Sequence, residues 1–142
     1  MKSKHVGFEV RTLSNLIHRK INQMVAEEEE TLTASQAWVL GFLVRQGERE
    51  VVQRDIEKEF SIRRSTASHM LTLMENNGYI QRISVPQDAR MKRIVLTGKG
   101  IQAQKRMTDR MDRFEAMLKE NITDEELEHF LCMLMRFEEN IR

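Results

Sequence analysis

The chain has 142 residues, 40% of them hydrophobic and 32% charged, with a formal net charge of +1 and a single cysteine, Cys132. This is the balance of one globular domain with enough apolar material for a core. One cysteine excludes an internal disulfide, no apolar run approaches the roughly 18 residues of a membrane span, and Met1-Lys2-Ser3-Lys4-His5 leads into no apolar signal segment, so a cytoplasmic location and no membrane partner are expected.

A single proline, Pro86, and six glycines leave few breaks, so the chain is expected to be mainly helical. Val6, Val10, Leu13, Ile17, Ile21 and Met24 recur in steps of three and four and predict a first amphipathic helix from Val6 to Val25. Glu27 to Glu30 oppose the helix dipole and should end it in a solvated turn. Thr33-x-x-Gln36 is a capping box for a second helix carrying Ala37, Leu40, Leu43 and Val44, with Gly47 as its terminator. A short third helix is expected from Val52 to Phe60, with Val52, Ile56 and Phe60 on one side. After a break at Ser61-Ile62, a fourth helix is predicted from Arg63 to Asn77, stopped by Gly78.

Tyr79 to Val85 and Lys92 to Leu96 have the pattern of strands, joined by a six-residue tip, Pro86 to Met91. Thr97 should cap a long helix with a stripe of Ile101, Gln104, Thr108, Met111, Phe114 and Leu118. Thr123-x-x-Glu126 opens a last helix bearing Leu127, Phe130, Leu131, Leu134 and Ile141. The middle, Val51 to Leu96, can bury its own faces. The stripes of the first and last two helices must pack on each other or on a second copy, which predicts a homodimer.

The fourth helix carries the functional pattern. Ala67, Met70, Leu71 and Met74 form its buried stripe, and Ser65, Ser68, His69 and Thr72 form a line of small hydrogen-bonding side chains roughly opposite. A face selected for helix stability would favour Glu, Lys and Gln instead. Arg63 and Arg64 stand at the N-terminal end, against the dipole, a placement that makes sense if that end meets phosphates or guanine edges. The segment Ser61 to Arg93 holds six basic and two acidic residues on a nearly neutral chain, a footprint of polyanion binding.

The third and fourth helices therefore read as a helix-turn-helix, the fourth being the recognition helix. Arg90, Lys92 and Arg93, on or beside the hairpin tip, supply a second contact suited to a minor groove, and Asp88 can pair with Arg90 and fix its direction. The expected DNA-binding set is thus Arg63, Arg64, Ser65, Ser68, His69, Thr72, Asp88, Arg90, Lys92 and Arg93.

Leu71-Thr72-x-Met74-Glu75-x-x-Gly78-Tyr79-Ile80-x-Arg82, then Asp88-x-Arg90, then Leu96-Thr97-x-x-Gly100, resembles the winged-helix signature of the MarR (multiple antibiotic resistance regulator) family. The helix order and the Thr33-x-x-Gln36 start fit as well, and the resemblance spans nearly the whole chain. Met74 stands where leucine is more usual, a volume-conserving departure. The resemblance implies one domain over residues 1–142, mainly α with a small β-hairpin wing. A winged helix-turn-helix lobe at 31–100 would be flanked by dimerisation helices at 1–30 and 101–142. It further implies a transcription regulator, a ligand-responsive repressor that binds a pseudo-palindromic double-stranded DNA site as a dimer. A crevice between dimer base and lobe would take a small apolar or aromatic effector.

Ile17, His18 and Ile21 with Trp38 and Phe42 are the candidate effector wall, a mixed apolar surface with one titratable group. Cys132, beside the last stripe, is expected to be buried packing. His5, His18, His69 and His129 are scattered, and Glu125 and Glu126 one turn from His129 do not make a metal site. No glycine-rich phosphate loop, nucleophile constellation or metal motif is present, so neither an enzyme nor a cofactor is expected. The alternative is a winged-helix module for protein–protein or RNA contact, which would have no need of Arg63, Arg64 and Arg90 placed for two grooves.

Overall fold

Helix α1 runs over Val6–Glu28, α2 over Ala34–Gln46, α3 over Gln53–Phe60 and α4 over Arg64–Asn76. Strands β1 (Ile80–Val85) and β2 (Asp88–Leu96) form an antiparallel hairpin, followed by α5 (Gly98–Leu118) and α6 (Asp124–Ile141). The computed structural model describes residues 4–29 and 31–142. These fall into two compact units, one ending at Arg110 and one spanning Met111–Arg142. No helix among the described residues is long and apolar enough to cross a membrane.

The punctuation follows from local chemistry. Thr33 Oγ1 accepts from the Gln36 N–H (3.3 Å) and Gln36 Oε1 accepts from the Thr33 N–H (3.2 Å), closing the box that starts α2. Asn22 of α1 accepts from the Ala34 N–H at 2.7 Å, so α1 helps hold the start of α2. Gly47 ends α2 at φ 60°. The Asp55 carboxylate accepts from the Val52 N–H (2.9 Å) at the start of α3, and Ser61 in the left-handed region turns the chain out of that helix. Gly78, at φ 83°, turns it out of α4. Thr97 Oγ1 donates to the Gly78 carbonyl (2.5 Å) and accepts from the Gly100 N–H (3.1 Å), tying the start of α5 to the end of α4. A side chain at Gly100 would run into the Tyr79 carbonyl, so glycine permits this close approach.

The core of the first unit is built on Ile21, Val25, Val39, Leu40, Ile56, Leu71, Met74, Tyr79 and Ile80, all fully buried. Each large apolar side chain there contributes about 1.5–3 kcal/mol of transfer free energy. Tyr79 carries a polar tip into that core. Its hydroxyl lies 2.7 Å from Thr31 Oγ1 and donates to Glu29 Oε2 at 3.0 Å, while Lys99 sits 4.7 Å over its ring. Arg106 of α5 pairs with the other oxygen of Glu29. Burial pushes the Glu29 carboxyl up, but the hydrogen bonds from Arg106 and Tyr79, with the charges of Arg106 and Lys99, outweigh it and hold the group below the usual carboxylate value. Burial likewise pushes the Tyr79 phenol up.

Several expectations change here. The acidic run is not a solvated turn: Arg110 pairs with Glu27 (2.6 Å) and Glu28 (2.8 Å), and Glu29 is buried in the Tyr79 cluster. Glu30 lies outside the described residues. The α5 stripe keeps Phe114 buried as expected but is shifted in its first half, where Ala103 and Met107 are buried while Ile101 is exposed. Val44 of α2 is exposed.

The hairpin tip is shorter than six residues. Pro86 and Gln87 make the turn, Asp88 already pairs with Val85, and residues 89–91 lie out of register before Lys92 meets Ser84. At the other end Arg82 pairs with Ile94 and Ile80 with Leu96, and the Ile94 N–H donates to the Val51 carbonyl (2.7 Å), seating the base of the hairpin on the segment before α3. Cys132 is exposed rather than buried. No residue of α6 is buried, and Phe8 (64% exposed), Leu16, Phe130, Leu131, Met133 and Met135 leave α1 and α6 with uncovered apolar surface.

Candidate nucleic-acid interface

In α4 the apolar spacing sorts the side chains as the sequence pattern requires. Ala67, Leu71 and Met74 are buried, Met70 is half-buried, and Ser65, Ser68 and His69 are exposed. Thr72 is half-buried, because Nη2 of Arg82 reaches its hydroxyl at 3.3 Å. Arg63 is the N-cap of α4 and Arg64 its first residue, and both are exposed. Gln53 Nε2 donates to the Arg64 carbonyl (3.3 Å), which joins the first turns of α3 and α4.

Between α3, the start of α4 and the hairpin lies an open cleft of about 550 Å³. Arg54, Arg64, Arg90 and Lys92 bring positive charge to it, and Glu57 and Asp88 also line it. Arg82 lines the same cleft, but its charge is committed: its Nη2 and Nε hold Glu75 Oε1 at 3.0 and 3.3 Å, and its backbone N–H holds Oε2 at 2.9 Å. The hydrogen bonds from Arg82 hold the Glu75 carboxyl below the usual carboxylate value.

The structure therefore gathers Arg64, Asp88, Arg90 and Lys92 around one cleft, with Ser65, Ser68 and His69 exposed along α4. Asp88 does not pair with the Arg90 guanidinium. Its Oδ1 accepts from the Arg90 backbone N–H at 2.9 Å, which shapes the chain at the tip rather than aiming the side chain. Arg93 lies apart from that cleft and is paired with Glu50 at 3.1 Å.

Arg54 does not stand out in the sequence pattern. It sits in the first turn of α3, and the signal that marks Arg63 and Arg64, a cation set against a helix dipole, would have found it. Among the described residues no group of three or more His, Cys, Asp or Glu side chains could hold a metal ion.

The five candidate effector residues differ in burial and contacts. Ile21 is core, and Phe42 is buried with its ring 5.9 Å from that of Phe60, edge to face. Ile17 is half-buried on α1. His18 packs edge-on against Trp38 at 5.4 Å, with its Nε2 3.2 Å from Ser35 Oγ. A separate shallow cleft lies between the start of α2 and α4, lined by Ser35, Gln36, Ser65, His69, Met70 and Leu73 among others.

A helix pair joined by a tight left-handed turn, with a basic hairpin packed beside the second helix, defines a winged helix-turn-helix. A family model described as MarR family matches residues 30–91. S. aureus MepR, crystallised as a complex with DNA, is similar at 27% identity and a TM-score of 0.88, over 98% of this chain and 100% of that one. The transcription regulator MarR from Oenococcus oeni is similar at 29% identity and a TM-score of 0.80, over 95% of this chain and 99% of that one. The transcriptional regulator PcaV from Streptomyces coelicolor, in complex with its natural ligand, shares the fold at 24% identity and a TM-score of 0.85, over the full length of both chains. No curated protein sequence matches. In its winged helix-turn-helix and over nearly its whole length, the chain is thus similar to winged-helix transcription regulators of the MarR family.

Proposed function

We propose that this protein is a ligand-responsive repressor that binds a pseudo-palindromic duplex DNA site as a homodimer. One observation carries the DNA-binding part: the exposed Ser65, Ser68 and His69 stand opposite the buried Ala67, Leu71 and Met74 and beside a cleft with four cationic side chains besides the Glu75-bound Arg82. Small polar groups let a helix enter the ~12 Å major groove and reach base edges, while the arginines and lysine neutralise backbone phosphate. Arg63 and Arg64 meet the DNA at the start of α4. Arg90 and Lys92 meet it from the wing, with Asp88 shaping the turn and Arg93 bracing the wing base through Glu50. That a relative 27% identical was crystallised with DNA supports this reading.

The homodimer rests on exposed Phe8, Leu16, Phe130, Leu131 and Met135, apolar surface that a single copy leaves in water. We assign residues 31–100 to the DNA-binding lobe, and 1–30 and 101–142 to the dimer base. Two lobes reading half-sites ~34 Å apart make binding sensitive to their separation. A small apolar or aromatic effector near His18 and Trp38 would act by favouring the wrong separation, and the natural ligand of PcaV is a precedent in a protein of the same fold. Repression follows from occupying the operator.

The test is selection of bound duplexes from a random pool, with binding of the selected duplex and of single-stranded RNA compared across salt, then repeated with a panel of aromatic acids, phenols and acyl compounds. A two-fold-related site bound in preference to RNA is expected. Equal or better binding to RNA would replace this reading with that of an RNA-contacting module. An effector should weaken DNA binding, and DNA should weaken the effector by the same factor.

A further inference from the structure

A threonine hydroxyl in a helix has one proton to give, and it often gives it to the carbonyl one turn back. Thr108 does this in α5, donating to the Gln104 carbonyl at 3.0 Å. Thr72 in α4 does not. Its Oγ1 is 3.3 Å from Nη2 of Arg82, and a guanidinium only donates, so at this contact the threonine accepts. A hydroxyl that receives an N–H must turn its own proton elsewhere. Among the described residues no acceptor takes that proton.

The guanidinium is held in that position by Glu75. Nη2 and Nε share Glu75 Oε1, and the Arg82 backbone N–H holds Oε2 of the same carboxylate. Glu75 lies one turn beyond Thr72 on α4, while Arg82 belongs to β1. The first strand of the hairpin is therefore locked onto α4, and the lock sets the polarity of one side chain on its polar line. Ser65 and Ser68, earlier on that line, have no partner among the described residues, so their hydroxyls remain free to donate or to accept.

We propose that Arg82, clamped by Glu75, occupies one lone pair of the Thr72 hydroxyl and so biases it towards donating its proton to DNA, so that α4 favours an acceptor atom on the base edge Thr72 meets. Such acceptors are guanine N7 or O6, adenine N7 and thymine O4; the amino groups of cytosine and adenine are disfavoured there. Ser65 and Ser68 tolerate either polarity. Arg82 is a positioning residue that acts through Thr72. This inference rests on the DNA-binding role proposed above and deepens it.

The experiment selects duplexes from a random pool with the full chain as parent and as Thr72→Val, Arg82→Met and the double variant Glu75→Leu with Arg82→Met. The double variant leaves no orphaned carboxylate, so it stays informative if Arg82→Met is unstable. Circular dichroism confirms that each is folded. Thr72→Val should lose about tenfold of discrimination at one base pair per half-site. Both Arg82 variants should relax that same base pair and leave the positions read by Ser65 and Ser68 unchanged, a selective effect that general loosening of the lobe would not give. Folded Arg82 variants that keep the parent's preference at that base pair overturn the inference. So does a Thr72→Val protein that weakens all duplexes equally, which would mean a phosphate contact. If the parent enriches no duplex at all, the DNA-binding role itself fails, an outcome distinct from both.

Discussion

Replacing Tyr79 by phenylalanine removes one oxygen from a residue with no solvent exposure. Two hydrogen bonds go with it, one with Thr31 at 2.7 Å and one to Glu29 at 3.0 Å. Thr31 is exposed, so its hydroxyl turns to water and its share of the loss is small. Glu29 is buried and charged, and hydrogen bonds to charged groups contribute about 1.5–3 kcal/mol. Arg106 still pairs with that carboxylate, which keeps the loss away from the top of the range: about 2 kcal/mol. At fixed protein concentration that corresponds to a fall in Tm of roughly 4–8 °C for a chain of this size. The loss also depends on pH. The folded-state carboxyl of Glu29 lies below its ordinary value, so its contribution is complete above the unfolded pKa, about 4.3, and fades as pH falls through the folded one. Urea unfolding at neutral pH and at successive acid steps should therefore show a gap between parent and Tyr79→Phe that narrows in acid. A gap under about 0.5 kcal/mol at neutral pH, or one that does not narrow, would refute the view that the Tyr79 hydroxyl supports a buried charge.

Gly100→Ala should cost about 1–3 kcal/mol in urea unfolding, because its Cβ has no space beside the Tyr79 backbone, whereas Gly98→Ala, with open space, should be close to neutral or slightly stabilising. Arg90→Ala should weaken binding to all duplexes alike and flatten the log–log salt dependence by ~0.9 for each phosphate no longer neutralised, read by titration at several salt concentrations. Sedimentation at micromolar concentration should give about twice the 16.8 kDa of the chain; a fully helical monomer would contradict the reading of the exposed α1 and α6 faces.

Short-range chemistry was legible in the sequence. Thr33 with Gln36 and Thr123 with Glu126 close the boxes their spacing announces, and Gly47 and Gly78 take the positive φ that helix ends require. The buried face of α4 also follows from its periodicity, since Ala67, Leu71 and Met74 admit only one inward stripe. Long-range pairing was not legible. Nothing local says that Glu27 and Glu28 will find Arg110, or Glu50 Arg93, because those partners are brought together only by the finished fold. In α5 two neighbouring stripes compete. The small Ala103 lies inside and the larger Ile101 outside, a choice set by how close the neighbouring elements come. Phe42 suits a ligand wall by its size, yet the same property draws it against Phe60. Of the candidate DNA-binding residues, Arg64, Asp88, Arg90 and Lys92 share one cleft, but the pairing of Arg93 with Glu50 and the hold of Arg82 on Thr72 arise only once the chain is folded.

The wing divides into a fixed base and an adjustable end. From Ile80–Leu96 to Ser84–Lys92 the strands keep strict register, and Ile94 is pinned to Val51. Beyond Ser84 the register breaks, with residues 89–91 already unmatched. In a regular hairpin one inserted residue would turn every later side chain to the opposite face. Here the unmatched stretch can absorb an insertion or deletion before the base feels it, and even doubling a flexible loop costs only about 0.6 kcal/mol. The reach of the wing can thus drift through evolution, one residue at a time, while the lobe that carries it stays unchanged.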